Sequence, residues 1–373
     1  MINVHTHIFN IKCAPNNFYG IPVARLLALA PSVSRSLIRV MNSVNPFSKR
    51  DRFSRLAAMV EVGIERNQKE IFRNLLHLYK DFQDPRIVAL TIDMDHMGAG
   101  KAIDDFITQI RTVAEVKAQY PQNLLPFFGV DPRRNNVLEL LKRYVDDFGF
   151  VGIKLYPSLG FYPFDKRMVK IYEFAISHQL PIMTHCDMGG IFYRGDLMKE
   201  HLQPESMNPM APKRDFTPFR KLKKGKFKDF FTQPLNFVDV LEMPDFRELK
   251  VCFAHFGGSK MITGRTDLSP TRSNWYEHIR NMLVTYPNTY TDISYTLHES
   301  DPKIVSQVLN DIRDPLISKK ILFGTDYYMT VKVKDEQALI RDFLKNYGIS
   351  QKEFDTLCMD NNSRFLQTSF FTP

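Results

Sequence analysis

Six side chains able to bind a metal, move a proton or hold an anion stand near the C-terminal ends of short apolar runs in this sequence. His5 and His7 lie two apart in the run Ile2–Phe9, so on an extended segment both point to the same side. His185 lies at the end of Pro181–Cys186, His255 ends Lys250–His255, Asp326 ends Ile321–Asp326, and Lys154 sits near the end of Phe150–Tyr156. Neutral imidazoles with a carboxylate form the ligand set of a catalytic zinc that keeps one position open for water. Each residue also has a plainer role. A lone histidine at a strand end is commonly a hydrogen-bonded core residue, and an aspartate there can cap the following helix. Two imidazoles converging on one side of a buried strand, however, are costly without a partner. All five at the ends of four runs are hard to assign to packing alone.

The elements that must position these residues follow from the hydrophobic pattern. The apolar runs are Ile2–Phe9, Ile87–Asp93, Leu124–Val130, Phe150–Tyr156, Pro181–Cys186, Lys250–His255, Thr289–Ser294 and Ile321–Asp326. They are nearly continuous in hydrophobicity, as strands buried on both faces of a parallel sheet should be. Amphipathic stretches lie between them: Gln68–Phe82, Ala102–Gln119, Asn135–Phe148, Asp165–His178, Asn236–Leu241, Trp275–Tyr286, Lys303–Ile312 and Glu336–Tyr347. This alternation predicts an α/β fold, a distorted (β/α)8 TIM barrel, whose active site occupies the rim at the C-terminal ends of the strands. Periodicity alone also permits an open doubly wound sheet, but no GxGxxG or Walker sequence follows any run, which weakens a nucleotide-binding alternative. A barrel of this kind needs roughly 250 residues. The remainder of the 373 is expected in two insertions on a single barrel spanning 1–373: residues 11–66 after strand 1 and residues 187–233, a lid, after strand 5.

With 44% hydrophobic and 24% charged residues, the chain has the composition of a folded globular protein. No apolar run approaches the 18 or so residues needed to span a bilayer. The N-terminal Met-Ile-Asn-Val-His-Thr-His lacks the charged and apolar regions of a signal peptide. Cys13, Cys186, Cys252 and Cys358 form no CxxC pair, which argues against a zinc ribbon or disulfide framework and fits a reducing compartment. A cytoplasmic location is therefore expected. The net charge of +9 is concentrated in two places. Residues 11–60 carry eight basic side chains and one acid, and residues 213–229 carry eight and two, so the rest of the chain is net acidic. Both stretches fall in the predicted insertions and would lie on the rim that carries the site.

The sequence resembles the amidohydrolase superfamily, and within it the branch related to aminocarboxymuconate semialdehyde decarboxylase. The resemblance runs from Val4-His5-Thr6-His7 to Asn361-Asn362-Ser363-Arg364-Phe365-Leu366. Its pieces include Phe128-Gly-Val-Asp-Pro132, Gly152-Ile-Lys-Leu-Tyr-Pro157 and Pro181-Ile-Met-Thr-His185, followed by Ala254-His-Phe-Gly-Gly258, Tyr290-Thr-Asp-Ile-Ser294 and Leu322-Phe-Gly-Thr-Asp326. The resemblance implies that His5, His7, His185 and Asp326 bind a divalent metal, most often zinc. It makes His255 the strand-6 histidine beside the water and the substrate. A bound Zn²⁺ would lower the pKa of its water from about 15.7 to about 7. Asp326 would then accept and return the proton, and His255 would orient the water or hydrogen-bond the developing oxyanion. Lys154 has two roles open to it: bridging two metals as a carboxylated lysine, as in the wider superfamily, or binding substrate as an ammonium beside a single metal. Asp292 and Ser294 share a strand face and could meet substrate or brace a neighbouring loop; Tyr156, Arg194 and Tyr327 are further candidates for substrate contact. Cys186, following His185, should face away from the ligand and pack as a small apolar residue.

Three functions follow. The first is metal-dependent hydrolysis of an amide, lactone or other C–N or C–O bond in a small substrate, with a metal-activated water. The second is metal-dependent non-oxidative decarboxylation on the same scaffold. The third, from the basic insertions with their interleaved aromatics, is nucleic-acid binding by a vestigial barrel; a solvated surface loop accounts for the same residues, and the complete ligand set argues against a vestigial site. The basic rim favours an anionic substrate, a carboxylate or phosphate, over a nucleic acid or membrane. The family resemblance implies a homodimer.

Overall fold

Alternate residues along each strand find different apolar surroundings, which is why the runs look hydrophobic throughout. The computed structural model describes residues 1–18, 67–294, 296–298, 301–330 and 335–373, so the expected insertion 11–66 lies outside the described residues from position 19 onward. Ile2, Val4, Val88, Leu90, Leu125, Phe127, Met183, Cys252 and Leu322 fill one core with Phe365 and Leu366. Ile87, Ala89, Leu124, Phe128, Ile153, Ile182, Val251 and Ile321 join a second, larger core with the helices. A strand with period-two side chains and two apolar faces belongs to a barrel wrapped in helices.

Eight strands form one parallel sheet in sequence order: β1 Ile2–Thr6, β2 Arg86–Leu90, β3 Leu124–Val130, β4 Gly152–Leu155, β5 Ile182–Thr184, β6 Val251–Phe253, β7 Thr289–Asp292 and β8 Ile321–Leu322. The ring is drawn together by bonds from β1 to the segment around β8, Val4 N–H to Phe323 O at 3.1 Å and Asp326 N–H to His5 O at 2.8 Å, and by a parallel bridge between Thr6 and Tyr327. The main helices are α1 Gln68–Leu78, α2 Phe106–Gln119, α3 Val137–Phe148, α4 Val169–Ser177, α5 Lys224–Thr232, α6 Trp275–Thr285, α7 Pro302–Arg313 and α8 Glu336–Asn346. Side-chain caps set several starts: Asn67, Asp105, Asp301 and Asp335 each accept a backbone N–H of the first turn. Among the described residues, no helix is long and apolar enough to cross a membrane.

The predicted barrel is therefore present, with corrections at the element ends. Most strands stop before the residue that was expected to end them, so His185, His255, Ser294 and Asp326 stand just beyond the ladder. There the backbone turns left-handed, at His255 (φ 66°), Phe256 (φ 50°) and Asp326 (φ 56°), a conformation no strand can hold. The stretch expected as a helix over Asn236–Leu241 is a 3-10 turn, Pro234–Phe237, running into the short helix Val238–Leu241. Segment 187–233 is built around the short helix Lys199–Leu202 and α5.

The end of the barrel away from the rim is closed by the short helix Asn362–Leu366. Phe365 is fully buried, its ring 6.4 Å from Phe127 and 5.2 Å from Tyr290. Truncating a buried phenylalanine of this kind costs about 3–5 kcal/mol through lost transfer energy and a residual cavity. Phe365→Ala should lower the urea midpoint correspondingly with the m-value unchanged; an unchanged midpoint would show that this ring does not support the barrel interior.

Candidate metal centre

β1 delivers two imidazoles to one place. His5 and His7 are buried, and each spends one ring nitrogen on a fixed acceptor: His5 Nδ1 donates to Asp292 Oδ2 at 2.9 Å, and His7 Nδ1 donates to the carbonyl of Leu90 at 3.1 Å. Those bonds set the tautomers and leave a lone pair on each Nε2. Both Nε2 atoms converge on the same carboxylate oxygen, Asp326 Oδ1, at 3.5 and 3.4 Å. Burial pushes the His7 imidazole below its ordinary pKa, with Asp326 pulling the other way. The Asp326 carboxyl, which burial alone would raise, is instead held below its ordinary value by its neighbours, first His7 and then His5 and His255. Two lone pairs and a carboxylate oxygen in a buried site repel one another unless a cation lies between them. The donor set therefore fits a divalent metal.

His185 adds a third imidazole. Its backbone N–H continues the β4 ladder by donating to Leu155 O at 2.9 Å, and its ring stacks on Tyr156 with centroids 4.2 Å apart and planes 7° apart. Its Nε2 is buried without a hydrogen-bond partner among the described residues, as is that of His5. Burial, then the neighbouring His255, Lys154 and Lys228, drive its pKa well below the ordinary value, so it is a neutral donor. Gly190 allows this arrangement: at φ 78° it lies so close that a Cβ there would be 2.3 Å from the Tyr156 hydroxyl and 3.1 Å from His185 Nε2. Gly324 plays the equivalent part opposite His5, whose Cβ would be 2.6 Å from a side chain at 324.

His255 and Asp292 form the next layer. The His255 ring lies 4.8 Å from that of His5 and 5.2 Å from that of His185. Asp292 Oδ1 accepts the His255 backbone N–H at 3.1 Å, the Ser294 N–H at 3.0 Å and the Ser294 hydroxyl at 2.5 Å. Because Ser294 gives its proton to Asp292, His255 Nδ1 must donate to Ser294 Oγ (2.9 Å), which leaves the lone pair on Nε2. Burial first, then His5, lowers the His255 pKa to about 4, so it is a neutral base at pH 7. Asp292, which burial would raise, is held well below the ordinary carboxylate range by His5, then His255 and Ser294. Ligand atoms of His5, His255 and Asp292 lie within 4.8 Å of one another, as do those of His5, His7 and Asp326. The first group is already joined by hydrogen bonds; the second is the one with unspent lone pairs. His185 falls in neither compact group but beside both.

Lys154 is 1% exposed, and its Nζ has no hydrogen-bond partner among the described residues. Burial lowers its pKa to about 8, with Asp292 and Asp326 raising it, so the ammonium persists at pH 7. Tyr156 is buried beside it, the ammonium 5.7 Å from the ring centroid. Arg194 lies over the Phe192 ring at 4.0 Å and donates to Phe18 O at 3.1 Å, which ties it to the chain near the first insertion. Tyr327 is buried next to Asp326, and its carbonyl accepts the His7 N–H at 2.5 Å. Cys186 is buried, as expected of a packing residue.

The basic stretch 213–229 divides in two. Lys213, Arg220, Lys221 and Lys223 are exposed, while Arg214 makes a bidentate pair with Asp239 and Lys226 donates to Leu268 O at 2.7 Å. Lys228 turns inward, 4% exposed, and donates to the Gly189 carbonyl beside His185 and Gly190. Sequence reasoning did not single out Lys228, since it reads as one more charge in a basic run. It also passed over Asn3, Thr325 and Glu336, which lie behind His5 and Asp326. A register shift in β1 between Asn3 and Thr6 turns Asn3 toward Tyr79 and Glu336, so the two-residue period did not connect it with His5.

The sequence profile of the amidohydrolase family matches residues 2–367. No match was found among curated protein sequences. Among solved structures, an uncharacterised TIM-barrel protein from Bordetella bronchiseptica is similar over 98% of both chains, with TM-score 0.54 and 14% identity. A 5-carboxyvanillate decarboxylase from Novosphingobium aromaticivorans, complexed with manganese and a nitrobenzoic acid, is similar over 89% of this chain and 92% of its own, with TM-score 0.53 and 13% identity. A probable 2-pyrone-4,6-dicarboxylic acid hydrolase from Acinetobacter baumannii is similar over 98% of both, with TM-score 0.51 and 12% identity. At these identities the likeness is one of fold.

Proposed function

Because the chain belongs to the amidohydrolase family, we propose that it is a metal-dependent hydrolase acting on a small carboxylated substrate. One observation carries this: the Nε2 lone pairs of His5 and His7 aimed at a single oxygen of Asp326, a buried arrangement that calls for a cation. His5, His7, His185 and Asp326 would hold the ion. A divalent ion there, zinc by preference for imidazole donors or manganese, supplies Lewis acidity that acidifies water and polarises a substrate oxygen.

The chain's own residues divide the remaining work. Asp326 accepts the proton that water gives up on attacking the carbonyl carbon and returns it to the leaving nitrogen or oxygen, so that the bond broken gains one proton and the acyl carbon one hydroxyl. His255, neutral with its lone pair on Nε2, orients that water. Lys154, a buried ammonium with no hydrogen-bond partner among the described residues, pairs with the substrate carboxylate and so places the scissile bond. Tyr156 holds the His185 ring flat by stacking.

Turnover of lactones, amides and aromatic or enoic carboxylates in ¹⁸O water, with metal analysis of the same preparation, tests this. One divalent ion per chain and one ¹⁸O in the product carboxyl are expected. Release of CO₂ without ¹⁸O uptake would give the second function, non-oxidative decarboxylation, which the presence of a decarboxylase among the structural relatives recommends. A protein that takes up no metal overturns both.

Lys154 supplies a further check. A charge-assisted hydrogen bond is worth about 1.5–3 kcal/mol, so Lys154→Met should raise KM for a carboxylated substrate by roughly 10- to 150-fold. The metal ratio should stay at one. A ratio of two, falling in the variant, would show a carboxylated lysine bridging two ions instead.

A further inference from the structure

Behind the metal donors lies a second buried polar cluster that none of the steps above uses. Glu336, the first residue of α8, is 1% exposed. Its Oε1 accepts the Tyr79 hydroxyl at 2.5 Å, the Thr325 hydroxyl at 2.6 Å and Asn3 Nδ2 at 3.5 Å. Asn3 Nδ2 also reaches the Tyr79 hydroxyl at 2.7 Å and Thr325 Oγ1 at 2.8 Å, so four side chains from β1, the end of α1, the turn after β8 and the start of α8 share one knot. Burial raises the Glu336 pKa to about 7, against the Thr325 and Tyr79 hydrogen bonds. A helix start does not need a buried acid, and this one spends its bonds on groups next to two metal donors.

The connections to those donors are short. Asn3 Oδ1 accepts the His5 N–H at 3.1 Å, fixing the backbone that carries the His5 ring. Thr325 precedes Asp326, whose backbone sits at φ 56°, a left-handed conformation that a residue other than glycine holds only when its surroundings over-determine it. Asp326 N–H donates to His5 O at 2.8 Å, Met329 N–H to Asp326 O at 2.8 Å, and Thr330 Oγ1 to Thr325 O at 2.9 Å. The Thr325 side chain is a further handle on this turn, and Glu336 holds it.

We propose that Glu336 is a positioning residue for the metal centre, acting through Thr325 and Asn3 to hold Asp326 and His5 at the spacing the ion requires. The role rests on the proposal that His5, His7, His185 and Asp326 bind a divalent ion. Partners of metal ligands commonly change affinity by 10- to 100-fold when removed.

The test measures zinc affinity of the metal-free full-length protein by competition with a chromophoric chelator, for wild type, Glu336→Gln and Glu336→Leu. Wild type should bind one zinc, and Glu336→Leu should bind it about 10- to 100-fold more weakly. Glu336→Gln, which keeps an oxygen acceptor for the same two hydroxyls, should remain near wild type. Hydrogen exchange on the metal-free proteins should show residues 325–330 less protected in Glu336→Leu, with α3 unchanged. Equal zinc affinity in a folded Glu336→Leu protein, or equal losses in both variants, would overturn the role. If Glu336→Leu does not fold, Thr325→Val decides, since it removes the donor next to Asp326: weaker zinc binding supports the role and unchanged binding overturns it. A wild type that takes up no zinc removes the metal centre itself, an outcome distinct from a variant that binds as wild type does.

Discussion

Asp326→Asn should yield a folded protein that has lost its metal and, with it, turnover by about 10⁴-fold or more, a loss beyond that of a general base alone because ligand and proton acceptor go together. The choice of asparagine matters. Asp326 holds a left-handed backbone, and asparagine is among the few residues that tolerate it well, so the fold should survive the exchange. What changes is charge: the anionic oxygen facing two imidazole lone pairs becomes neutral, and either end of the amide fits the ion less well. Circular dichroism and the thermal midpoint report the fold, and metal analysis reports the site. Retained metal with near-normal turnover would remove Asp326 from both roles. The alternative that an aspartate here merely caps the next helix is not available, because α8 is capped by Asp335.

The complementary prediction concerns His255. Asparagine again suits the local backbone, at φ 66°, and His255→Asn should retain the metal while kcat falls by about 10²- to 10⁴-fold, the range of a positioned acid or base. His255 is bound to the rest of the site through Asp292 and Ser294, and it stands among the imidazoles without sharing the Asp326 oxygen on which His5 and His7 converge. Loss of metal in this variant would make it a ligand and reopen the arrangement in which two ions are held with Lys154. Together the two variants separate the residues that hold the ion from the one that works beside it.

The barrel and the gathering of His5, His7, His255 and Asp326 at one end of it were legible in the sequence because both depend on pattern. Continuous apolar runs with intervening amphipathic stretches have few other folded solutions, and His5 and His7 are placed by the two-residue period of a strand. The ends of the elements were not legible. His255 follows Ala254 with no marker that the backbone turns left-handed there, and the glycines 257 and 258 downstream suggest a turn without saying where it starts. Asp292 illustrates the other limit. Its position in the sequence suits contact with substrate or bracing equally well, and only its hydrogen bonds to His5, His255 and Ser294 show it bracing two histidines. Glu336 merely opens an amphipathic stretch in the sequence, and nothing local marks a carboxyl whose partners lie at Asn3, Tyr79 and Thr325. Long-range polar knots of this sort leave no periodic trace.

The bond between Asn3 and Thr325 joins positions 322 apart in sequence. On the ribosome, His5 and His7 emerge early and Asp326 only after nearly the whole barrel, so on the proposed assignment the ion cannot template the early stages of folding. On that assignment, loading comes after the ring has closed, when β1 and the turn after β8 have met.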